Sequence, residues 1–234
     1  MEFYGQITNI TTLTPTVKSF EISLETNEFA FLPGQWVDFY IEDDQAAPLI
    51  GGFTMVSSPT TLGSIELAIK VERGGSPAVY LHNEANIGDR FKIIGPGGDF
   101  VLHNDGAKSV CFIAGGIGIN PFMSMLNYID AKNLNLSVTL LYSAKTPSEL
   151  VFYERLITLS QRNRSLDFVP TITTHSGEAW DGRVGRIDAS LLEQTELKEQ
   201  TEYYLCGPPG MPTEIAGILK QQGIDQDKIF FEEW

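Results

Sequence analysis

The residues whose types and spacing could do chemistry crowd into two short glycine-containing stretches. In the first, the apolar run Val110-Cys111-Phe112-Ile113-Ala114 ends in Gly115-Gly116-Ile117-Gly118-Ile119-Asn120-Pro121, and an amphipathic segment follows over residues 122–129. A buried strand that turns sharply into a helix accounts for this pattern. Asn120 suits the helix cap, and Pro121 suits the first helical position, where a missing N–H costs nothing. Glycines let main chain approach a ligand closely, and a helix N-terminus attracts anions, so the chemistry on offer is the seating of a phosphate. A tight turn with no ligand would use the same residues. The spacing is not the usual dinucleotide fingerprint either: Pro121 stands where its last glycine belongs, and no acidic residue closes the next strand near Tyr142 and Ser143. The second stretch is Cys206-Gly207-Pro208-Pro209-Gly210-Met211, which also follows an apolar run.

Composition bounds what these stretches can serve. A chain of 234 residues with 42% hydrophobic content suits one large or two ordinary globular domains. No stretch approaches the ~20 apolar residues of a membrane span, and residues 1–5 show neither a basic region nor an apolar signal core. The net charge of −14 argues against nucleic acid and anionic membranes as partners. Two cysteines, Cys111 and Cys206, lie in or at the ends of apolar strand patterns. That usage points to a reducing, cytoplasmic setting rather than a disulfide framework. His82, His103 and His175 are scattered, with no metal-ligand spacing, and are read as structural.

Two different grammars position the glycine loops. Short alternating runs over residues 4–10, 17–24, 35–41, 53–57, 64–71 and 90–94 read as strands, punctuated by glycine and proline, with one short helix over 78–84. Six such strands predict a closed antiparallel β-barrel. After the polar segment 103–108 the pattern becomes strand–helix alternation, which places a domain boundary between residues 104 and 105. Strands are expected over 109–114, 137–142, 168–173, 202–205 and 228–231, and helices over 121–131, 148–161, 189–193 and 209–221. This rhythm predicts a five-stranded parallel sheet flanked by helices. With strand order 3-2-1-4-5, the ligand crevice beyond the carboxyl ends of the first and fourth strands falls on the two glycine loops.

A small β-barrel followed by a half-Rossmann α/β domain with these loops resembles the ferredoxin–NADP reductase-like flavoproteins. Phe31-Leu32-Pro33-Gly34-Gln35-Trp36, Gly51-Gly52-Phe53-Thr54-Met55-Val56-Ser57-Ser58-Pro59, Gly95-Pro96-Gly97-Gly98-Asp99-Phe100, both glycine loops and the ending Phe231-Glu232-Glu233-Trp234 carry the likeness in order along nearly the whole chain. Within that family the chain is most similar to the short oxidoreductases with an NAD-binding domain and no iron–sulfur module. The resemblance implies residues 1–104 as a flavin-binding barrel and residues 105–234 as a pyridine-nucleotide-binding domain. It also implies hydride transfer from NADH or NADPH to flavin N5, with FAD favoured over FMN.

The resemblance assigns roles residue by residue. The family's Arg-x-Tyr-Ser flavin strand falls on Gly51, Phe53 and Thr54, so Phe53 would stack on the ring and Thr54 would donate a hydrogen bond, while the phosphate-binding cation is absent. The second flavin segment, Gly74-Gly75-Ser76-Pro77-Ala78, has Ala78 at the usual hydroxyl position; Gly75 and Ser76 would seat pyrophosphate, with Lys70 or Arg73 as replacement cations. Gly115, Gly116, Gly118, Asn120 and Pro121 would admit the dinucleotide, together with Cys206, Gly207, Pro208 and Met211. Cys206 would pack near the nicotinamide, Trp234 would lie against the flavin, and Glu232 would be a polar neighbour able to relay a proton.

The resemblance implies that NADP users place arginine or lysine at the 2′-phosphate; here no arginine follows the third strand in Thr173-Thr174-His175-Ser176-Gly177-Glu178, and Lys145 is a single cation after the second, so the region resembles the NADH users. Two cysteines cannot hold a four-cysteine cluster, so electrons are expected to leave for a separate acceptor. The competing readings are a non-catalytic NAD(H)-binding module that has lost its flavin, and an interaction subunit with both sites vestigial.

Overall fold

The computed structural model describes residues 1–41, 49–71, 77–103, 107–195 and 200–233. They form two compact units: Met1–Leu102 together with Asn120–Ala131, and residues 103–119 with the described residues from Lys132 onward.

The first unit is built from β1 (Glu2–Thr14), β2 (Val17–Leu24), β3 (Trp36–Ile41), β4 (Leu49–Thr54), β5 (Ser64–Lys70) and β6 (Arg90–Gly97), with α1 (Pro77–Asn83) between the last two strands. The pleat sends alternate side chains inward: in β3, Val37, Phe39 and Ile41 are buried while Trp36, Asp38 and Tyr40 are not. The antiparallel order is β4-β3-β6-β1-β2-β5. The ends meet through a Met55–Leu67 bridge and a Val56 N–H that donates to the Glu66 carbonyl at 2.8 Å. Closure removes the open strand edges. Ala78 and Leu81 of α1 join Phe20, Ile22, Phe39 and Leu67 in the barrel core.

The fourth strand lies earlier than the 53–57 expected from sequence. Gly51 and Gly52, which hide the alternation, pair with Phe39 and Asp38. Beyond Thr54 two carbonyls find side-chain partners: Asn127 Nδ2 donates to the Val56 carbonyl at 3.0 Å and Ser124 Oγ to the Ser57 carbonyl at 2.8 Å. Both donors belong to α2 (Asn120–Lys132), whose residues as far as Ala131 group with the barrel.

The second unit holds a parallel sheet of β7 (Ser109–Gly115), β8 (Ser137–Ala144), β9 (Leu166–Ile172), β10 (Arg183–Val184), β11 (Thr201–Gly207) and β12 (Ile229–Glu233), in the order β10-β9-β8-β7-β11-β12. Every residue of β7 is buried, as a strand flanked on both sides must be. The sheet has six strands where five were expected. The extra one, β10, is two residues long, too short to leave a period in sequence, and pairs with Thr171 and Ile172. Thr171 Oγ1 donates to the Gly185 carbonyl at 2.8 Å and keeps it there. The remaining helices are α3 (Tyr153–Arg162), α4 (Ala189–Gln194) and α5 (Met211–Gln221). The single helix expected over 148–161 is broken: Pro147–Glu149 form a 3₁₀ turn, Leu150 and Val151 are buried, and Phe152 takes a left-handed φ of 62° before α3 begins. Burying that apolar trio prevails over helical continuity.

Candidate functional site

The register brings the two glycine loops together. β7 and β11 are adjacent and parallel, with Ala114 opposite Cys206, so the segments leaving their carboxyl ends lie side by side, where open α/β sheets bind ligands. Gly116–Ile119 form a 3₁₀ turn that runs directly into α2. A Cβ on Gly118 would stand 2.5 Å from the Cys206 carbonyl oxygen and 2.7 Å from Gly207 N, so the chain passes there as bare backbone. A Cβ on Gly115 would collide with Met211 Sδ and stand 2.9 Å from Pro208 Cδ. Gly116 has φ +54° and open space around its Cβ direction. Gly115, Gly118 and Gly207 thus form a floor in which the two loops pack tightly, with the Met211 side chain over Gly115 and Gly207, and of these four glycines Gly116 is the one open on its Cβ side.

Tyr142 holds this floor, and reading the sequence for motifs missed it. The side chain is fully buried on β8. Its hydroxyl donates to the Gly116 carbonyl at 3.1 Å and accepts from Val151 N at 3.0 Å. A lone tyrosine in an apolar strand gives no signal of this, because its partners lie 26 and 9 residues away. Tyr142→Phe should cost about 1–3 kcal/mol, chiefly by taking the partner from the buried Val151 N–H and also from the half-buried Gly116 carbonyl. A lowered urea midpoint with an unchanged slope would show it.

Asn120 does not cap α2. It is itself helical and buried, and Pro121 occupies the second helical position. The Asn120 Nδ2 donates to the Ala68 carbonyl at 2.8 Å, a tertiary tie to β5 that replaces the local cap. Its Oδ1 is buried with no partner among the described residues.

In the second loop, Cys206 is fully buried and lies opposite Glu232 in the β11–β12 register. Burial first, and the Glu232 charge second, hold its thiol well above the usual value. It is therefore a neutral, space-filling group at neutral pH and no thiolate nucleophile. Pro208, Gly210 and Met211 shape the turn into α5, where Gly210 at φ 86° offers no side-chain cap. Glu233 supplies one from β12: its Oε1 accepts from Thr213 Oγ1 at 2.9 Å and from Gly210 N at 3.3 Å. A carboxylate at a helix N-terminus is favoured by the unpaired N–H groups there.

On the barrel, Phe53 is half-buried against the core and Thr54 is buried opposite Trp36. A Cβ on Gly51 would stand 2.9 Å from Phe53 Cζ and 3.1 Å from Pro77 Cβ, so any larger residue at 51 needs the Phe53 ring to swing aside. Lys70 is exposed at the end of β5, paired with Val17. Arg73, Gly75, Ser76 and Trp234 lie outside the described residues. The structure thus brings Gly115, Gly116, Gly118, Cys206, Gly207, Pro208, Met211 and Glu232 to one end of the parallel sheet. Phe53, Thr54, Lys70, Asn120 and Pro121 fall in the barrel unit.

Comparison with known proteins gives this division names. Residues 5–102 match the oxidoreductase FAD-binding domain and residues 112–216 the oxidoreductase NAD-binding domain. Over 260 aligned residues the chain is 31% identical to oxidoreductase NAD-binding domain-containing protein 1 of Danio rerio, covering 99% of this chain and 92% of that protein. It is 26% identical to the reductase component of propane 2-monooxygenase from Rhodococcus jostii, spanning 62% of that longer protein. Among solved structures, a ferredoxin NADP+ reductase from Neisseria gonorrhoeae with bound FAD and NADP superimposes with a TM-score of 0.84 at 23% identity, covering 99% of this chain and 98% of the other. At that identity the likeness shows the fold.

Proposed function

The chain belongs to the oxidoreductases that join an FAD-binding domain to an NAD-binding domain, and from that premise we propose that it takes hydride from NADH and passes electrons to a separate acceptor. Residues 1–104 form the flavin half and residues 105–234 the dinucleotide half. The observation that supports this reading most directly is the pairing of two glycine loops at the carboxyl ends of β7 and β11, where Gly118 packs as bare backbone on the Cys206 carbonyl and Gly116 stays open.

Bound FAD supplies the capacity to accept two electrons together and release them singly. The chain's residues supply geometry. Phe53 would stack on the flavin and the Thr54 hydroxyl would donate a hydrogen bond to it. Gly75 and Ser76 would receive the pyrophosphate, with Lys70 as the nearby cation in place of the arginine that Gly51 lacks. Gly115, Gly116, Gly118, Asn120, Pro121, Gly207, Pro208 and Met211 would hold the dinucleotide, orienting it by close approach rather than by charge. Cys206 would fill the space beside the nicotinamide, Trp234 would cover the flavin ring, and Glu232 would hold a proton near it.

The acceptor is proposed to be a distinct redox protein, in keeping with the reductase-component relative and with a chain of two cysteines. Among the described residues no helix is long and apolar enough to cross a membrane; the two buried free thiols suit a reducing, cytoplasmic compartment.

Gly51 favours one second reading, a module that binds NAD(H) and has lost its flavin. The visible spectrum separates them. Purified protein reconstituted with FAD should be yellow and should bleach on anaerobic addition of NADH. Protein that stays colourless after FAD overturns the reductase reading and leaves the second.

A further inference from the structure

The carboxylate that a dinucleotide-binding sheet ordinarily presents to the adenosine ribose comes from the strand next to the glycine-loop strand. Here that strand, β8, ends in Tyr142-Ser143-Ala144 with no acid. Two main-chain hydrogen bonds then lay the loops after β8 and β9 side by side: Thr173 N donates to the Ala144 carbonyl and Thr174 N to the Lys145 carbonyl, both at 2.9 Å. Past Gly177, at φ +81°, the second loop turns back. Its Glu178 then reaches Ser148, four residues beyond the end of β8. One carboxylate oxygen accepts from Ser148 N at 3.0 Å, and the other from Ser148 Oγ at 3.1 Å and Ser176 Oγ at 2.8 Å.

Resting on the reading of this domain as the NADH half, we propose that Glu178, clasped by Ser148 and Ser176 beyond the ends of β8 and β9, selects the dinucleotide that lacks a 2′-phosphate. The carboxylate is exposed, yet its donors hold it in one place. Three of its lone-pair sites are taken, and the one left, on Oε2, can accept from a ribose 2′-hydroxyl. A 2′-phosphate in that place would meet like charge. The surroundings offer little relief: across residues 145–152 and 173–182, Lys145 is the sole lysine or arginine, set against Glu149, Glu178 and Asp181. The serine hydrogen bonds, that of Ser176 foremost, also pull the Glu178 carboxyl below its ordinary value, so the charge persists through the neutral range.

The test is equilibrium calorimetry with NAD+ and NADP+, which needs no turnover, on the full chain and on two variants of this exposed residue. Wild type should bind NAD+ the more tightly. Glu178→Gln, which keeps an acceptor for the serines but removes the charge, should move the NADP+/NAD+ affinity ratio roughly tenfold toward NADP+, as loss of one close charge repulsion does. Glu178→Ala, which loses the serine contacts as well, should move the ratio the same way and weaken NAD+ binding too. If Glu178 only staples the two loops, Glu178→Gln will match wild type and Glu178→Ala will weaken both ligands equally; that pattern overturns the inference and leaves the NADH domain standing. Wild type binding NADP+ as tightly as NAD+ also overturns it, and points to Lys145 as a phosphate partner. Wild type binding neither ligand overturns the domain reading itself.

Discussion

Gly118→Ala should cost the protein at least roughly tenfold in NAD+ affinity while FAD binding by the barrel persists. The added methyl would lie 2.5, 2.6 and 2.7 Å from Cys206 O, Cys206 C and Gly207 N. All three are backbone atoms of β11, so no rotamer change relieves the overlap. Either the 3₁₀ turn at Gly116–Ile119 lifts away or β11 shifts against β7, and each alters the floor on which the dinucleotide would rest. Overpacking of this kind costs about 1–3 kcal/mol when it must be absorbed by backbone. Calorimetry with NAD+ measures the loss, and the flavin absorbance of the same sample reports on the barrel. An NAD+ affinity within twofold of wild type would remove the Gly118–Cys206 approach from the binding site.

Alkaline pH should unfold this protein through groups buried in the second unit. Burial, assisted by Asp167, pushes the Cys111 thiol up to about 12, and Cys206 is likewise driven up by burial and by Glu232. Tyr142 is likewise held far above its ordinary value, with burial the first cause. In the unfolded chain the thiols titrate near pH 9.0 and the tyrosine near 10.0. The folded state therefore keeps protons that the unfolded state has released. Stability is fully present below about pH 8.5 and falls as pH rises through the unfolded values. Each group contributes a slope approaching about 1.4 kcal/mol per pH unit once its unfolded form is ionised. The two thiols together approach about 2.7 kcal/mol per unit above pH 10, a large fraction of the about 5–15 kcal/mol that holds a typical domain. Urea midpoints measured from pH 7 to 10.5 should show a plateau followed by a steep fall, and Cys206→Ala should make the fall shallower. A flat profile to pH 10.5 would mean that the thiols ionise within the folded protein.

How far the sequence reveals this molecule depends on how local each signal is. Strands β3 and β6 alternate with period two, because one face packs inward and the other does not, and this is visible residue by residue. Gly51 and Gly52 carry no side chain to alternate, so β4 was placed too late. In the second half the unbroken apolar run of β7 announces a strand buried on both faces. The helices over 120–132 and 211–221 follow from their own periodicity. The helix expected from Ser148 does not form as one piece, since Leu150, Val151 and Phe152 gain more from burial than from continuing a helix.

The chemistry divides along the same line. Glycine loops after apolar strands are local, and so the Gly115–Gly118 and Cys206–Met211 stretches could be singled out, with their family likeness, from order and composition alone. Asn120 shows the limit. Its residue type and position argue for a helix cap, yet the Ala68 carbonyl, 52 residues away, takes its amide. Tyr142, Glu233 and Glu178 lie beyond that limit altogether, because each acts through partners that only the folding of the parallel sheet brings near. By itself, the sequence determined most strands and helices apart from β4, β10 and the broken 148–161 segment, the order of the two halves, and the glycines that keep backbone bare, since these depend on contacts within a turn or a pleat. Only the tertiary structure decided what holds those loops in place and which carboxylate stands beyond β8, because hydrogen bonds between residues distant in the chain leave no period to read.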